Sequence, residues 1–589
     1  MFDLVPIPPL IIWNSHPRGR LRLGRLAAIA SFALCVGQPG ISTAAEVYRN
    51  SDLSIRWDNT FKYSRGWRLE GVDPTLLADP NADDGDRNFR SGNISNRVDL
   101  LSEFNVAAGP VGFEASAAAW YDTVYRRSTD NNSAATFNSV SVRNNQLPAP
   151  TRRLHGKDAE LLNAFIYGHS DLDDMPVAVR VGRSNLIWGE SLFFADNGIS
   201  AGQAPVDGIK ALSVPSSKAK EVYMPVAQAW ASLQPRPGLA LEMYYQFEWR
   251  KSRLPGVGSY FAVADFIDAG GERLIVGPGQ FFNRAVDQPA PASGQYGAAV
   301  RVSNDSSDFG FYVLRYNAKD PQVYLRFGPF LGQRSRSSAL VDGTDDGRER
   351  AALYGVAPGA IFAGPGRSLR FDYALYGNPA TGEVGTYDLA YPKGIEVYGA
   401  SFSGYLGDNT IAGEISLRRH TPLLSQPLLI IPIVRANTDD SPQYAIGNSA
   451  HVQASIISVL PPSPLWDSAG FAAEIAANRR LSITRNPDIF DTTRTRNAVS
   501  VRAAIEAQYF AVLPGLDLSV PAGFGYGLSG HSSVNQSQND RVGDISVGIR
   551  AVYRAVWEGS IMLTHFVGPP SRQPYADRDF ISISIQRTF

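Results

Sequence analysis

Apolar and polar residues alternate along most of the chain after residue 46. In residues 239–250, every second position is apolar and the positions between them are mostly polar or charged. Because successive side chains of a strand point to opposite faces, this segment predicts a strand with one apolar and one polar face. The same period of two recurs in residues 53–63, 97–106, 411–418, 501–509 and 544–554.

The predicted strands are long. Soluble strands usually hold about 5–6 residues, whereas strands of membrane barrels need about 9–11. The alternation continues to the last residue with no helical domain in between. We therefore predict an all-β fold, a large transmembrane antiparallel β-barrel of roughly sixteen to twenty strands. Closure of the sheet would pair every backbone group inside the membrane, with apolar faces against lipid and polar faces in the lumen.

The first 45 residues carry the features of a secretory signal peptide. An uncharged run at 26–37 is followed by Thr43, Ala44 and Ala45, a small-residue cleavage site. We place cleavage after Ala45, with Ala44 as the alternative, so that residues 46–589 form a single barrel domain. The run is too short to span a bilayer, which needs roughly 20 residues. The basic residues that precede it are Arg18, Arg20, Arg22 and Arg25.

The last eleven residues, 579–589, form a final amphipathic strand that ends in Phe589. Such an end resembles the signal that the barrel assembly machinery recognises in bacterial outer-membrane proteins. Arg587 departs from that signal, because an apolar residue is usual at its position. The strand pattern and this end predict a location in the outer membrane of a Gram-negative bacterium, in contact with outer-membrane lipid.

The amino-acid composition limits the functions that we expect of the protein. The chain has 55 basic and 56 acidic residues, so it lacks the basic excess of nucleic-acid-binding proteins. Its only cysteine, Cys35, lies in the predicted signal peptide, which leaves no disulfide and no thiolate metal site. The seven histidines show no metal-ligand spacing, and residues 527–531 miss the serine nucleophile motif because His531 replaces a glycine. We predict no enzyme, no catalytic residue, no metal and no cofactor.

Residues 183–225 interrupt the alternation between strand candidates near 175–182 and 226–234. Their mixture of aromatic, glycine, asparagine and single charged residues suits a segment folded into the lumen, as in larger barrels. The alternative is a loop that only stabilises the wall. The candidate gate or ligand contacts are Trp188, Glu190, Phe193, Phe194, Asn197 and Asp207.

Residues 421–434 form a second unusual stretch, continuously apolar and broken by prolines. Proline is poorly tolerated in paired strands, and the run is too short for a membrane helix. One interpretation is the lining of a lipophilic channel, and the other is a segment buried against barrel and lipid. The candidate lining residues are Leu428, Leu429, Ile430 and Ile431.

Several motifs in this order resemble the proteobacterial family called domain of unknown function 1302. The resemblance spans nearly all of the chain after the signal peptide and is specific as a set. The motifs lie at residues 83–89 (DDGDRNF), 94–103 (ISNRVDLLSE), 179–183 (VRVGR), 188–191 (WGES), 245–249 (YQFEW), 397–403 (VYGASFS) and 413–416 (GEIS).

This resemblance implies an outer-membrane barrel that takes part in uptake or trafficking of hydrophobic compounds. It also implies a periplasmic lipoprotein-like partner and an inner-membrane transporter of the resistance-nodulation type. With the segments at 183–225 and 421–434, it favours a transporter of hydrophobic small molecules or lipids through a constricted lumen. The alternatives are a diffusion porin for polar solutes and an outer-membrane subunit of an export system.

Overall fold

The computed structural model describes residues 45–217, 219–329, 377–378, 380–430 and 434–589. The predicted signal peptide therefore lies outside the described residues, apart from Ala45. Twenty-four strands are described. They are β1 Ala45–Arg49, β2 Leu53–Arg68, β3 Gly92–Ala108, β4 Val111–Asp122, β5 Lys157–Leu172, β6 Met175–Ser184, β7 Val226–Arg236, β8 Leu239–Gln246, β9 Arg273–Gly277, β10 Gln280–Arg284, β11 Gln295–Ser303, β12 Ser307–Tyr316, β13 Gln322–Phe327, β14 Glu383–Ala390, β15 Ile395–Leu406, β16 Asn409–Pro422, β17 Leu428–Ile430, β18 Ile446–Leu460, β19 Ser468–Arg485, β20 Asn497–Leu513, β21 Leu516–Ser529, β22 Gly543–Tyr553, β23 Trp557–Val567 and β24 Phe580–Thr588.

Eighteen of these strands close into one antiparallel barrel, which confirms the predicted fold and falls within the predicted range. The ring runs β2 to β8, then β11, β12, β15, β16 and β18 to β24, and β24 pairs with β2 to close it. Outside the ring, β1 pairs with β2 between Ser54 and Trp57, beyond the stretch that β24 occupies. The terminal Phe589 and Asn59 exchange backbone hydrogen bonds of 2.8 and 2.9 Å, so the last residue is part of the closure.

The alternation of apolar and polar residues in the sequence corresponds to the alternation of lipid-facing and lumen-facing side chains in the barrel wall. On β8, Leu241 and Met243 are exposed on the outer face, while Tyr244 and Gln246 are buried inside. The strand ends at Gln246, four residues before the predicted end. An apolar outer face on a closed sheet is what a bilayer requires, because hydrocarbon cannot hydrogen-bond an open edge. The barrel is therefore a transmembrane, outer-membrane-type barrel.

The connections differ strongly in length at the two ends. Strands β3 and β4, and β20 and β21, are joined by two-residue turns, whereas β6 and β7 are separated by residues 185–225. In barrels of this kind the short turns face the periplasm and the long loops face outside. Helical turns occur only as short pieces in the described long loops: α1 Asp84–Asn88, α2 Ala149–Thr151, α3 Gly208–Ser213, α4 Ala219–Val222, π-helix Arg152–Gly156, and 3-10 turns Val124–Arg126, Ile199–Gly202 and Pro487–Ile489. No described helix is long and apolar enough to cross a membrane.

Five strands from three long loops form a second sheet in the order β17-β13-β14-β10-β9. We call this sheet, together with the loops at 69–91, 123–156 and 247–272, the outer cap. Two apolar clusters bury the sheet, one around Phe282 and Tyr387 and one around Tyr324 and Tyr444. A third cluster joins the loops through residues such as Phe89, Leu147, Tyr260 and Tyr575. The outer end of the barrel is thus covered by packed structure.

The apolar stretch at 421–434 contributes to this cap. Leu428 and Ile430 are buried in the cluster around Tyr324, and Leu429 packs on the cluster around Phe282. Strand β17 is held by parallel pairing with β13. Leu428 and Ile430 are buried as core residues in the observed conformation, and a role of Leu428, Leu429 and Ile430 in lining a channel stays a prediction. Ile431 lies outside the described residues.

Candidate functional site

The connection between β6 and β7 folds into the barrel, as the sequence predicted. We call residues 185–221 the lumen segment. Its first attachment is to Glu414 on β16, whose carboxylate accepts the backbone N–H groups of Glu190 at 2.7 Å and Ile199 at 2.9 Å. The side-chain amide of Gln453 donates to the same carboxylate at 2.9 Å. One wall residue thereby binds two turns of the lumen segment at once.

A second carboxylate, that of Glu474 on β19, accepts three consecutive backbone N–H groups. They belong to Leu192, Phe193 and Phe194, at 3.0, 2.5 and 2.9 Å. Hydrogen bonds to a charged acceptor are about twice as strong as those between neutral groups. Irregular backbone inside a barrel needs such partners, because its own N–H groups have no ladder to join.

Asn197 completes this attachment. Its side-chain N–H donates to Gln453 at 3.2 Å, and its side-chain oxygen Oδ1 lies 3.0 Å from Nδ1 of His451. Arg418 donates to the backbone carbonyls of Asp196 and Gly198 at 3.0 and 2.8 Å. From β6 to β19 is eight steps around the ring of eighteen strands. The lumen segment therefore crosses the interior to the opposite wall.

Two large apolar side chains of the lumen segment fit against glycines of the wall. Trp188 and Ile199 are 1% and 0% exposed, in a cluster with Tyr312, Leu314 and Val397. A Cβ on Gly399 would lie 2.6 Å from Ile199 Cδ1, and one on Gly297 would lie 2.9 Å from Trp188 Cζ3. These wall positions need glycine because the inserted side chains approach the backbone too closely for any other residue. The Trp188 indole also donates to Glu242 at 2.9 Å.

The second half of the lumen segment returns to the other side of the barrel. Asp207 accepts the N–H groups of Ile209 and Lys210, which begins α3, and it pairs with Arg253 at 2.5 Å. Beyond α3, Lys220 pairs with Glu103 on β3 at 2.6 Å. The Ser216 hydroxyl lies 3.2 and 3.4 Å from the hydroxyls of Ser560 on β23 and Ser584 on β24.

Within the described ranges, one arc of the wall contacts the lumen segment through hydrogen bonds only at its connecting loop, where Asn535 donates to Asp196 at 2.8 Å. Among the residues that the structure describes, no hydrogen bond or ion pair joins the lumen segment to β20, β21 or β22. The inner face of β21 is made of small residues, since Phe524 and Leu528 on the same strand point outward. These inner residues are Ser519, Pro521, Gly523, Gly525 and Gly527.

Charged side chains border this arc. Arg502 on β20 and Asp544 on β22 form an ion pair across Gly525, which faces both of them in the strand register. Nearer the turns, Arg550 pairs with Glu506 at 3.0 Å and lies 3.7 Å from Glu558. The side chains of Arg550 and Glu558 are 35% and 30% exposed. This arc therefore presents solvent-accessible charges of both signs to the lumen.

All six candidate gate residues lie in the lumen segment. Trp188, Phe194, Asn197 and Asp207 are buried and hold the segment in place, whereas Glu190 and Phe193 are half-buried. Burial raises the pKa of Glu190 to about 7; Arg301 opposes this shift, and the carboxylates of Glu414 and Asp308 add to it. A role of these six residues in gating or ligand contact stays a prediction.

Of the wall residues that hold the lumen segment, Glu414 lies in the motif at 413–416, but the sequence did not indicate its role. Glu414 and Glu474 occupy inward positions of amphipathic strands, as do Glu242 and Glu506. Alternation shows that such a carboxylate faces the lumen but not which backbone it meets there. The signal that was present is the glycine in the motif at 397–403, Gly399, whose inward position leaves room for Ile199.

None of the curated proteins matches this chain in sequence. Solved structures of similar shape include OccAB1 of Acinetobacter baumannii, with 10% identity, a TM-score of 0.40, and coverage of 93% of this chain and 98% of that one. A BenF-like porin from Pseudomonas fluorescens shares 8% identity, with a TM-score of 0.39 and coverage of 91% and 98%. OpdK of Pseudomonas aeruginosa, solved with vanillate, shares 8% identity, with a TM-score of 0.37 and coverage of 91% and 98%. Likenesses this distant carry no argument about the function of this chain.

The match to a family model is of a different kind, because it covers residues 25–589, almost the whole chain. It agrees with the motifs at 83–103 and 397–416, which lie in the outer cap, in β3 and in the wall that holds the lumen segment. The chain belongs to the protein family of unknown function DUF1302.

Proposed function

We propose that this protein is a constricted outer-membrane channel through which small solutes pass between the lumen segment and the wall of β20–β22. One observation carries the proposal. The lumen segment is bound to β16 and β19 on one side and to β3, β23 and β24 on the other. It leaves strands β20–β22 uncovered except at the loop at 530–542, where Asn535 donates to Asp196. On the inner face of β21, Pro521 and Gly523 are half-buried, whereas Gly525 and Gly527 are buried against Arg502 and the loop at 530–542.

The chemistry of the arc favours small polar solutes. A solute that leaves bulk water needs polar partners in the constriction, and Arg550, Glu506 and Glu558 offer both donors and acceptors. Opposite charges on one wall attract both ends of a dipolar or zwitterionic solute. This supports the porin alternative over the predicted passage of hydrophobic compounds.

Passage of hydrophobic small molecules is the second candidate. It is supported by the apolar layer on the inner wall of β12 and β15, where Tyr312, Leu314 and Val397 lie. Trp188 and Ile199 cover this layer in the observed conformation, so a lipophilic solute would reach it only after the lumen segment moved. The two candidates therefore differ in whether the segment stays in place during transport.

Single-channel conductance of the folded protein in a planar bilayer tests the proposal. We expect small, steady conductance from the wild type and a clear decrease in Gly523→Trp, which places an indole in the uncovered arc. Ala522→Trp is the matched control, because its side chain points to lipid on the same strand. Equal conductance of the two variants would contradict the proposed path. A silent wild-type barrel that still takes up an apolar fluorescent probe would favour the second candidate.

A further inference from the structure

Three carboxylates from two loops meet inside the outer cap, away from the lumen segment. Asp83 and Asp84 lie at the start of α1, between β2 and β3, and Asp265 lies in the loop after β8. All three residues are 0% exposed. One oxygen of each carboxylate lies within 4.8 Å of those of the other two.

The charges of this cluster are not balanced by the protein. The neighbouring Asp86 pairs with two buried guanidinium groups, Arg68 at 3.0 Å and Arg578 at 2.8 Å. Asp83 has one such partner, Arg87, at 2.5 Å. In the described part of the chain, Asp84 and Asp265 form no ion pair. If all three carboxylates are ionised, the single guanidinium leaves two negative charges uncompensated in a buried site.

The hydrogen-bonding of Asp265 points to a missing partner. One oxygen of its carboxylate accepts the backbone N–H of Asp84 at 2.9 Å, but the other, Oδ1, has no partner among the described residues. On Asp83, Arg87 bonds one carboxylate oxygen, and the Thr136 hydroxyl is a second hydrogen-bonding neighbour. A buried charged oxygen without a partner costs more free energy than any ordinary hydrogen bond recovers.

The surrounding loops supply further oxygen and amide groups. The Asn131 side chain donates to Asp84 at 2.9 Å, and the backbone N–H of Asn138 lies 3.5 Å from the same carboxylate. Both asparagines belong to the loop between β4 and β5, so three long loops meet at this point. No nitrogen or sulfur ligand belongs to the cluster of three carboxylates.

We propose that Asp83, Asp84 and Asp265 bind a divalent cation, Ca²⁺, which cross-links the loops of the outer cap. Hard cations prefer oxygen ligands, and two net negative charges match a divalent ion. Oxygens that share a Ca²⁺ ion, each at about 2.3–2.6 Å from it, lie at most about 5 Å apart. The three carboxylate oxygens, all within 4.8 Å of one another, meet this limit. A buried site built from protein oxygens favours Ca²⁺, because Mg²⁺ dehydrates reluctantly and usually keeps several waters.

The test measures Ca²⁺ bound to the folded full-length protein in detergent, by equilibrium dialysis against CaCl₂ with MgCl₂ in excess. We expect one Ca²⁺ per wild-type chain and at least a tenfold weaker affinity in Asp265→Asn, which keeps the shape of the side chain. Asp440→Asn is the control, because it removes an exposed carboxylate from another outer loop. Heat-modified migration in gel electrophoresis shows that each barrel is folded.

A second measurement on the wild type alone does not depend on any variant. Removal of Ca²⁺ with a chelator should speed proteolytic cleavage of the loops at 69–91 and 247–272 severalfold, and added CaCl₂ should restore protection. Less than stoichiometric Ca²⁺ on the wild type would overturn the proposal. So would Asp84→Asn or Asp265→Asn chains that bind as much Ca²⁺ as the wild type, or that resist protease better than it does without Ca²⁺.

Discussion

The attachment of the lumen segment to Glu474 gives a quantitative prediction. Glu474→Ala removes the acceptor of three backbone hydrogen bonds, to Leu192, Phe193 and Phe194. A hydrogen bond to a charged group contributes about 1.5–3 kcal/mol. Lumen water can enter the vacated space, so we use the lower value. The docked conformation then loses about 4–5 kcal/mol, which lowers the ratio of docked to undocked segment by about a thousandfold.

Planar-bilayer recordings measure this change directly. In the variant, an undocked lumen segment should widen the lumen, so we expect frequent openings of larger conductance than the wild type shows. Glu474→Gln keeps one acceptor oxygen, so we expect an intermediate opening frequency. The matched control is Glu506→Ala, which removes a lumen carboxylate that bonds the wall and not the segment. It should alter ion selectivity and leave the opening frequency unchanged.

One clear result would show that Glu474 does not hold the lumen segment. If Glu474→Ala is folded, as heat-modified migration would show, and conducts as the wild type does, the three hydrogen bonds do not hold the lumen segment. Hydrogen exchange distinguishes the remaining possibilities. The backbone amides of residues 192–194 should lose protection in the variant, while those of the barrel strands keep it.

Three further perturbations test the neighbouring contacts. Gly399→Val should displace Ile199, since a Cβ there would lie 2.6 Å from its Cδ1, and the segment's amides should then exchange faster. The pKa of Glu190 is raised to about 7 from its ordinary 4.5, so ionisation opposes docking as pH rises through this window. Glu190→Gln should therefore protect the lumen segment better than the wild type at about pH 8 and equally well below pH 4.5, by hydrogen exchange. Arg502→Ala leaves Asp544 buried and unpaired, which should lower barrel stability in urea by about 3–5 kcal/mol.

The barrel itself was predictable because apolar and polar residues alternate with a period of two along the strands of its wall. A side chain that faces lipid must be apolar and its neighbour faces water, so strands such as β2 and β20 can be located from the sequence alone. The predicted strand extends beyond the observed one at the end of β8. There the chain leaves the barrel while the alternation of apolar and polar residues continues. Glu248, which lies in the loop after β8, pairs with Arg183 of β6 and accepts the N–H of Ala227 of β7, so its polar side chain faces the wall although it is not part of a strand.

The sheet of the outer cap could not be predicted, because its strands are too short to show the alternation. Its strands are short, since β9 and β10 have five residues each and β17 has three. Three residues carry no recognisable period, and β17 reaches its place by parallel pairing with β13, about a hundred residues earlier. The apolar run at 428–431 was therefore visible, but its environment depends on contacts that are remote in sequence.

The outer cap and the lumen segment are parts of one connected structure. Arg253, in the cap loop after β8, exchanges backbone hydrogen bonds of 2.8 Å with Val206 and Gly208, and its side chain pairs with Asp207. On the other side of α3, Leu212 packs in the same cluster as Tyr260 of that cap loop. The loop that holds Asp265 thus also holds the second half of the lumen segment. Because these contacts are shared, the segment cannot leave the lumen unless the cap loop loosens as well. An ion that binds Asp265 would then act on the same loop, and the channel would open more readily when that ion is removed.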